Sequence, residues 1–520
     1  MLFNSFEFIL VFLPVVLGGF FVLDRTGRHN LSFLWLVAAS FVFYGWWNWA
    51  LVPLLAASVG VNFVLGLILA TKRSRALLVL GIAFNLGLLG WFKYSDFLVD
   101  NINAISGTSI SLGTIILPLA ISFFTFQQIA YLVDVYRGLV VETSLQRYCL
   151  FVTFFPQLIA GPIVHHSEML PQFAWRVGSG FSSGHFAVGV TIFTIGLIKK
   201  LAIADPLGHQ ADRVFEIAAY GDPLTFVSAW FGTVAFGLQI YFDFSGYSDM
   251  AIGLARMFGV RLPLNFDSPY KAVNIIEFWR RWHMTLSRFL RDHLYVPLGG
   301  NRRGRIRRHA NLMIVMLLGG LWHGASWNFV IWGGLHGLFL LVNHAWRSLR
   351  HALGWSGEGS TLLGRWLSRA LTLFAVFFAW AFFRAEGWDA AMVMIDGLTG
   401  RAGVIIPDSY AVRLGVLASL LADLGVQFGV EPEAAVYPTR GDLGQVVLVL
   451  MIVLAAPNTQ QLMAESEPES GYRATDGRPA SALFRWRPNA VTGAFTAAAC
   501  FGGLVLLFRQ ASNAFIYFQF

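Results

Sequence analysis

His323 stands in "GGLWHGASW" (residues 319–327), between the apolar runs 312–318 and 329–332. An ionisable side chain at membrane depth marks a functional site by default. A neutral imidazole can accept a proton, so His323 is a candidate general base. A packing histidine bonded to a backbone carbonyl is the competing reading. Gly319, Gly320 and Gly324 tip the balance towards a site, because they let backbone or ligand approach closely. His336, in "GGLHG", has a similar setting and is expected to be mostly structural.

Two further stretches carry ionisable groups. "YFDFSGYSDMAIG" (241–253) packs Asp243, Ser245, Tyr247, Ser248 and Asp249 into an apolar context. Buried carboxylates need partners, for which Arg280, Arg281 and the histidines are candidates. A polar network fastening helices together is favoured there over acid–base work. "EFWRRWHMTLSRFLRDHLY" (277–295) places Trp279, Trp282, Leu286, Phe289, Leu290 and His293 within about 120° of arc from Phe278. Arg280, Arg281, Arg288 and Arg291 fall on the other side. This predicts one amphipathic helix on the membrane surface. His283 falls beside its aromatic face, which argues against a pure interfacial anchor.

The elements that must hold these residues are membrane helices. The 520 residues are 56% hydrophobic and 13% charged, against about 25% charged in soluble domains. Apolar segments recur throughout, and about ten to twelve are expected to span the bilayer. "FFPQLIAGPIV" (154–164) and "LLGGLWHG" (317–324) look discontinuous or re-entrant. Such backbone is tolerated at membrane depth only inside protein or along a wet cavity. The start reads as a first membrane segment rather than a cleaved signal peptide.

Charge sets the orientation. Between Tyr270 and His309 lie ten basic residues and two acids, which carry the whole net charge of +8. By the positive-inside rule this stretch and "TKRSR" (71–75) are cytoplasmic. The N-terminus and the acid-leaning stretch 423–442 then face outward. Anionic headgroups or an anionic cytoplasmic ligand suit the basic stretch better than nucleic acid does. Cys149 and Cys500 read as buried small residues. "GFSSG" (180–184) lacks the strand–turn–helix setting of a nucleophile elbow and reads as a linker. There is no P-loop, dinucleotide fingerprint or Cys/His metal spacing.

"EFWRRWHMTLSRFLRDHLYVPLGGNR" (277–302) and "LLGGLWHGASWNFVIWGGLHG" (317–337) together resemble the membrane-bound O-acyltransferase superfamily. So do "QIYFDFSGYSDMAIGLARMFG" (239–259), "FFPQLIAGPIV", the opening "MLFNSFEFILVFLPVVL" and the terminal "FIYFQF" (515–520). The long tail after Arg384 is similar to the alginate O-acetyltransferase branch more than to the shorter D-alanyl transferases. The resemblance implies an all-α polytopic fold: a helical ring with re-entrant segments around a central tunnel. It divides the chain into a membrane core, 1–400, and C-terminal segments, 401–520. It also implies His323 and His283 as catalytic residues. Asp243, Asp249, Arg281 and His336 would support them, and Arg280, Arg288 and Arg291 would bind the donor.

The resemblance implies transfer of an acyl group, acetyl first, from a cytoplasmic thioester such as acetyl-CoA. No bound cofactor or metal is expected. The acceptor would be an exopolysaccharide such as alginate, with cellulose, peptidoglycan or D-alanyl transfer as alternatives. A periplasmic acetyl-relay protein is the expected partner, with membrane lipids around the chain in a bacterial inner membrane. A proton-coupled transporter or flippase is the competing class. The absence of an internal repeat in the sequence lowers that reading.

Overall fold

The computed structural model describes residues 1–175, 180–355, 361–429, 437–466, 485–509 and 515–516. Parts of the stretches 423–442, 465–488 and "FIYFQF" therefore lie outside the described residues. The first helices are α1 (Leu13–Arg25), α2 (His29–Gly45), α3 (Val52–Lys72), α4 (Arg75–Leu89), α5 (Ser95–Ser106) and α6 (Ile121–Arg137). Next come α7 (Leu145–Thr153), α8 (Phe155–Leu158), α9 (His166–Trp175), α10 (Ser183–Ile198), α11 (Asp205–Tyr220) and α12 (Phe226–Met257). The site region holds α13 (Ile275–Arg281), α14 (Met284–Leu290), α15 (Gly304–His323) and α16 (Trp327–Ala352). The rest is α17 (Leu362–Arg384), α18 (Trp388–Leu398), α19 (Asp408–Leu414), α20 (Val416–Asp423), α21 (Arg440–Ala455), α22 (Thr459–Leu462) and α23 (Ala490–Arg509).

The fold is all-α and polytopic. Among the described residues, seven helical stretches are long and apolar enough to cross a membrane, against the ten to twelve expected. Helices α2 and α6 have 17 residues each and α21 has 16. α15 is basic in its first two turns. The 32-residue α12 carries Asp243, Asp249 and Arg256 and is buried along nearly its whole length. It is a helix solvated by protein rather than lipid. Besides the helices, Val404–Pro407 (β1) pairs in parallel with Val426–Gly429 (β2), a small departure from the expected all-helical pattern.

Close helix approach explains why α12 is so enclosed. A Cβ at Gly189 or Gly196 of α10 would run into the carbonyl of Gly253 or Gly246 of α12. The contact is reciprocal and repeats after seven residues on both helices. Small residues at such a crossing bring the backbones together, and packing then replaces the hydrophobic drive that lipid cannot supply.

Among the described residues four π-helical segments occur; one, Glu7–Phe12, leads into α1, and the other three carry basic residues. Gly90–Tyr94 joins α4 to α5, Lys199–Ala204 joins α10 to α11, and Arg291–Tyr295 follows α14. Such bulges re-aim side chains and are frequent at functional sites. Residues 154–164 are buried throughout. Only the four residues of α8 are helical there, as expected for discontinuous backbone enclosed by protein.

Residues 277–295 do not form one surface helix. Helix α13 stops at Arg281, and His283 takes a left-handed backbone conformation (φ 43°) before α14 begins. That conformation costs roughly 1–2 kcal/mol for a non-glycine residue, so neighbours must impose it. The segment 265–267 does so: Asp267 N donates to Arg281 O at 2.9 Å, and Met284 N donates to Asn265 O at 2.9 Å. The break turns His283 inward, and its side chain is fully buried.

Candidate active site

His323 is the last residue of α15, and α16 begins four residues later. Ser326 caps α16 by accepting from Asn328 N. The two helices form a hairpin held by close backbone approach. A Cβ at Gly320 would strike the Phe329 carbonyl, and one at Gly333 would strike the Met316 carbonyl. Of the three glycines expected to admit a ligand, Gly320 and Gly324 serve the hairpin instead, packed on Phe329, whereas Gly319 faces a Leu290 methyl.

The rings of Trp322, Trp332 and Phe383 lie 4.9, 5.2 and 5.3 Å from the His323 ring. The residue is 4% exposed. It nonetheless lines a cavity of about 740 Å³, together with Lys93, Ser122, Trp322 and the stretch from Ile116 to Ala120. Trp46, Trp47 and Glu7 line it as well.

A second cavity, about 230 Å³, is lined by Gln127, Thr285, Arg288, Phe289 and His293, among others. Helix α6 connects the two: Ser122 and Phe123 at its start face the larger cavity, and Gln127 and Ala130 face the smaller. The end of α6 is the basic face, since the Arg73 guanidinium lies against Gly138. Three stacked rings separate the cavities. Phe126 lies 4.1 Å from Phe289, which lines the smaller cavity, and 5.5 Å from Trp322, which lines the larger.

A polar chain bypasses this aromatic plug. Thr285, in the wall of the smaller cavity, donates through Oγ1 to Asn265 Oδ1 at 3.0 Å. The same oxygen accepts from His283 Nδ1 at 3.0 Å. This hydrogen bond places the His283 proton on Nδ1 and the lone pair on Nε2. The His283 and His323 rings lie 6.3 Å apart. The two expected catalytic histidines thus come together, one connected to each cavity.

Lys93 was not expected. Its Nζ donates to Trp322 O (2.6 Å), His323 O (3.1 Å) and Ser122 Oγ (3.4 Å). Tyr94 donates to Leu321 O at 2.9 Å. The last carbonyls of a helix lack intrahelical partners and carry the negative end of its dipole. A cation from the π-turn satisfies both needs and fixes the backbone of His323. In the sequence, "WFKYSDF" showed only a lysine within an apolar segment. Asn265, in "LPLNFDSPY", was missed for a similar reason.

Several expected assignments are corrected. Asp243 and Asp249 do not pair with Arg280, Arg281 or a histidine. Lys200 lies 2.7 Å from Asp243 and Lys199 lies 2.6 Å from Asp249. Asp243 also accepts from Ile516 N, and Asp249 accepts from Thr459 and Gln460. Both carboxylates thus fasten C-terminal segments to the core, as the favoured network reading had it, and line neither cavity. His336 lines neither cavity and packs among Phe278, Trp279 and Trp332.

The arginines do not share one face. Arg281 is buried against Glu277, Arg280 is exposed, and Arg291 pairs with Asp292 at 2.7 Å. Burial pushes the Asp292 carboxyl up, but the hydrogen bond and charge of Arg291, with the nearby His293 and Arg288, together hold it below the ordinary value. Of the three expected donor-binding arginines, only Arg288 lines the smaller cavity, held in a two-pronged contact with Glu168 (2.6 and 2.9 Å).

The membrane-bound O-acyltransferase family model matches residues 143–356, the region that contains His283 and His323. A peptidoglycan O-acetyltransferase of Helicobacter pylori is 43% identical over 434 residues, covering 78% of this chain and 81% of that protein. The chain belongs to the membrane-bound O-acyltransferase family. This acyltransferase is also 37% identical to a probable alginate O-acetylase AlgI of Azotobacter vinelandii, over the full length of both. A teichoic acid D-alanyltransferase of Streptococcus thermophilus is 27% identical over 236 residues, covering 44% of the acyltransferase and 57% of that relative. The acyltransferase is a multi-pass membrane protein and an O-acyltransferase.

Proposed function

We propose that the enzyme transfers an acetyl group from a cytoplasmic thioester such as acetyl-CoA to a hydroxyl presented on the opposite face of a bacterial inner membrane. The reading is carried by the two buried histidines meeting between two cavities, one on the basic face and one on the other. The basic face is cytoplasmic by the positive-inside rule. Arg288, in its cavity, is the group placed to attract the phosphates of a CoA-type donor.

In this reaction His323 takes the proton of the acceptor hydroxyl while that oxygen bonds to the thioester carbonyl carbon. The carbon–sulfur bond breaks, and the leaving thiolate takes a proton returned from the histidines. His283, with its lone pair on Nε2, is placed to relay that proton towards the donor side. Lys93 keeps the His323 turn in register with the outer cavity. The Phe289–Phe126–Trp322 stack separates the two solvents except along the polar chain.

The acceptor is an extracytoplasmic polysaccharide. An alginate-like exopolysaccharide comes first, because the likeness to the alginate relative runs through the tail after Arg384. Peptidoglycan is the second reading, favoured by the higher identity over a shorter span. A periplasmic partner that receives the acetyl group or presents the polymer completes the system.

The test uses proteoliposomes with acetyl-CoA inside and either an alginate or a peptidoglycan fragment outside, with and without a periplasmic extract. Acetyl appearing on one glycan, dependent on His323 and increased by the extract, is expected. Proton-driven uptake with no acyl donor would instead favour a transporter.

A further inference from the structure

Asp134, His165 and His166 form a cluster that the acyl-transfer chemistry does not use. Asp134 lies on the last turn of α6. The two histidines end the irregular stretch after α8 and begin α9. Asp134 Oδ2 lies 2.7 Å from His165 Nε2 and 3.6 Å from His166 Nδ1. All three ligand atoms lie within 4.8 Å of one another. His166 is 5% exposed, and its Nδ1 has no hydrogen-bond partner among the described residues. A buried imidazole nitrogen aimed at a carboxylate without a bond to it calls for something between them.

We propose that Asp134, His165 and His166 form a binding site for a divalent transition cation of the Zn²⁺ class. Two imidazoles and one carboxylate make the donor set of a three-ligand zinc site with one open position. The 3.6 Å separation of His166 Nδ1 and Asp134 Oδ2 is close to the roughly 3.3 Å edge of a tetrahedron with 2.0–2.1 Å metal–ligand bonds. The 2.7 Å pair must open slightly, and the His165 side chain, 30% exposed, has room to move.

The surroundings support ligation. Arg137 Nη1 lies 3.5 Å from Asp134 Oδ1, which leaves Oδ2 for the ion. Ser167 Oγ lies 2.7 Å from His165 Nδ1, so it accepts the Nδ1 proton once Nε2 becomes a ligand. His165 also lines the smaller cavity, alongside His293, whose Nε2 is buried without a hydrogen-bond partner among the described residues.

The experiment takes the full-length protein in detergent, with its affinity tag removed, strips it with a chelator, and loads it with Zn²⁺. After desalting, elemental analysis is expected to find about one equivalent per chain. Co²⁺ loading is expected to give the visible absorption of a tetrahedral nitrogen–oxygen site. His166→Ala and Asp134→Asn should each lose the bound metal. His165→Ala, at a partly exposed ring, gives the same test with little risk to folding. Size-exclusion profiles confirm that the variants are folded. Wild-type protein that retains no metal, or variants that retain as much as wild type, would overturn the site. Neither result depends on acyl transfer, so the site can fail while the acyltransferase reading stands.

Discussion

Lys93 Nζ lies 3.1 Å from the carbonyl oxygen of His323 and 2.6 Å from that of Trp322. A residue of the π-turn between α4 and α5 thereby holds the backbone of the proposed base. A charge-assisted hydrogen bond contributes about 1.5–3 kcal/mol, and a small misplacement of a reacting group can lower a rate by about 10²-fold. Lys93→Met keeps the stem and removes the charge. It should lower kcat by about 10–100-fold, with the KM for acetyl-CoA changed far less. A loss of folded enzyme would also lower the apparent kcat without changing KM, so thermal unfolding must show the variant folded as wild type for the drop to be assigned to the His323 turn.

His323→Ala should reduce acetyl transfer by at least about 10²-fold, since a positioned base contributes about 10²–10⁴. Protein yield and monodispersity should stay near wild type, because the ring borders the larger cavity and its truncation extends an existing space. Activity above about a tenth of wild type would remove His323 from the general-base role.

Arg288 and Arg291 should behave differently, although both lie on the stretch with excess positive charge. Arg288→Gln should raise the apparent KM for acetyl-CoA several-fold, and added salt should weaken that difference. Arg291→Gln should leave KM near wild type, because Arg291 is exposed and paired to Asp292. Steady-state kinetics at two ionic strengths measure both. An unchanged KM in the Arg288 variant would place the donor elsewhere.

Gly320→Ala should destabilise the α15–α16 hairpin. The added methyl meets the Phe329 carbonyl and lies 3.1 Å from Gly333 Cα, and such overpacking costs about 1–3 kcal/mol. Gly319→Ala is the control: its nearest neighbour is a flexible Leu290 methyl at 3.3 Å. A lower melting temperature for the first variant only is the expected outcome.

Much was legible in the sequence alone. Its composition and recurring apolar runs establish a polytopic membrane chain, because the bilayer permits few alternatives. The clustered positive charge between 270 and 309 gives the expected orientation by the positive-inside rule. His323 was visible as a lone ionisable residue within an apolar stretch, and its motif with that of His283 carried the family. The polar network at Asp243 and Asp249 was also expected as a helix fastener.

Tertiary structure decided the partners. Lys93 reaches Trp322 across 229 positions, and Asn265 breaks the predicted helix 277–295 at His283. Helical periodicity compares only residues three or four apart, so neither contact leaves a periodic trace. The π-turns that aim Lys93, Lys199 and Lys200 are local in sequence, yet the buried oxygens they serve lie on distant helices. A buried charge is stable only beside its partner, and which partner arrives is settled when the helices pack.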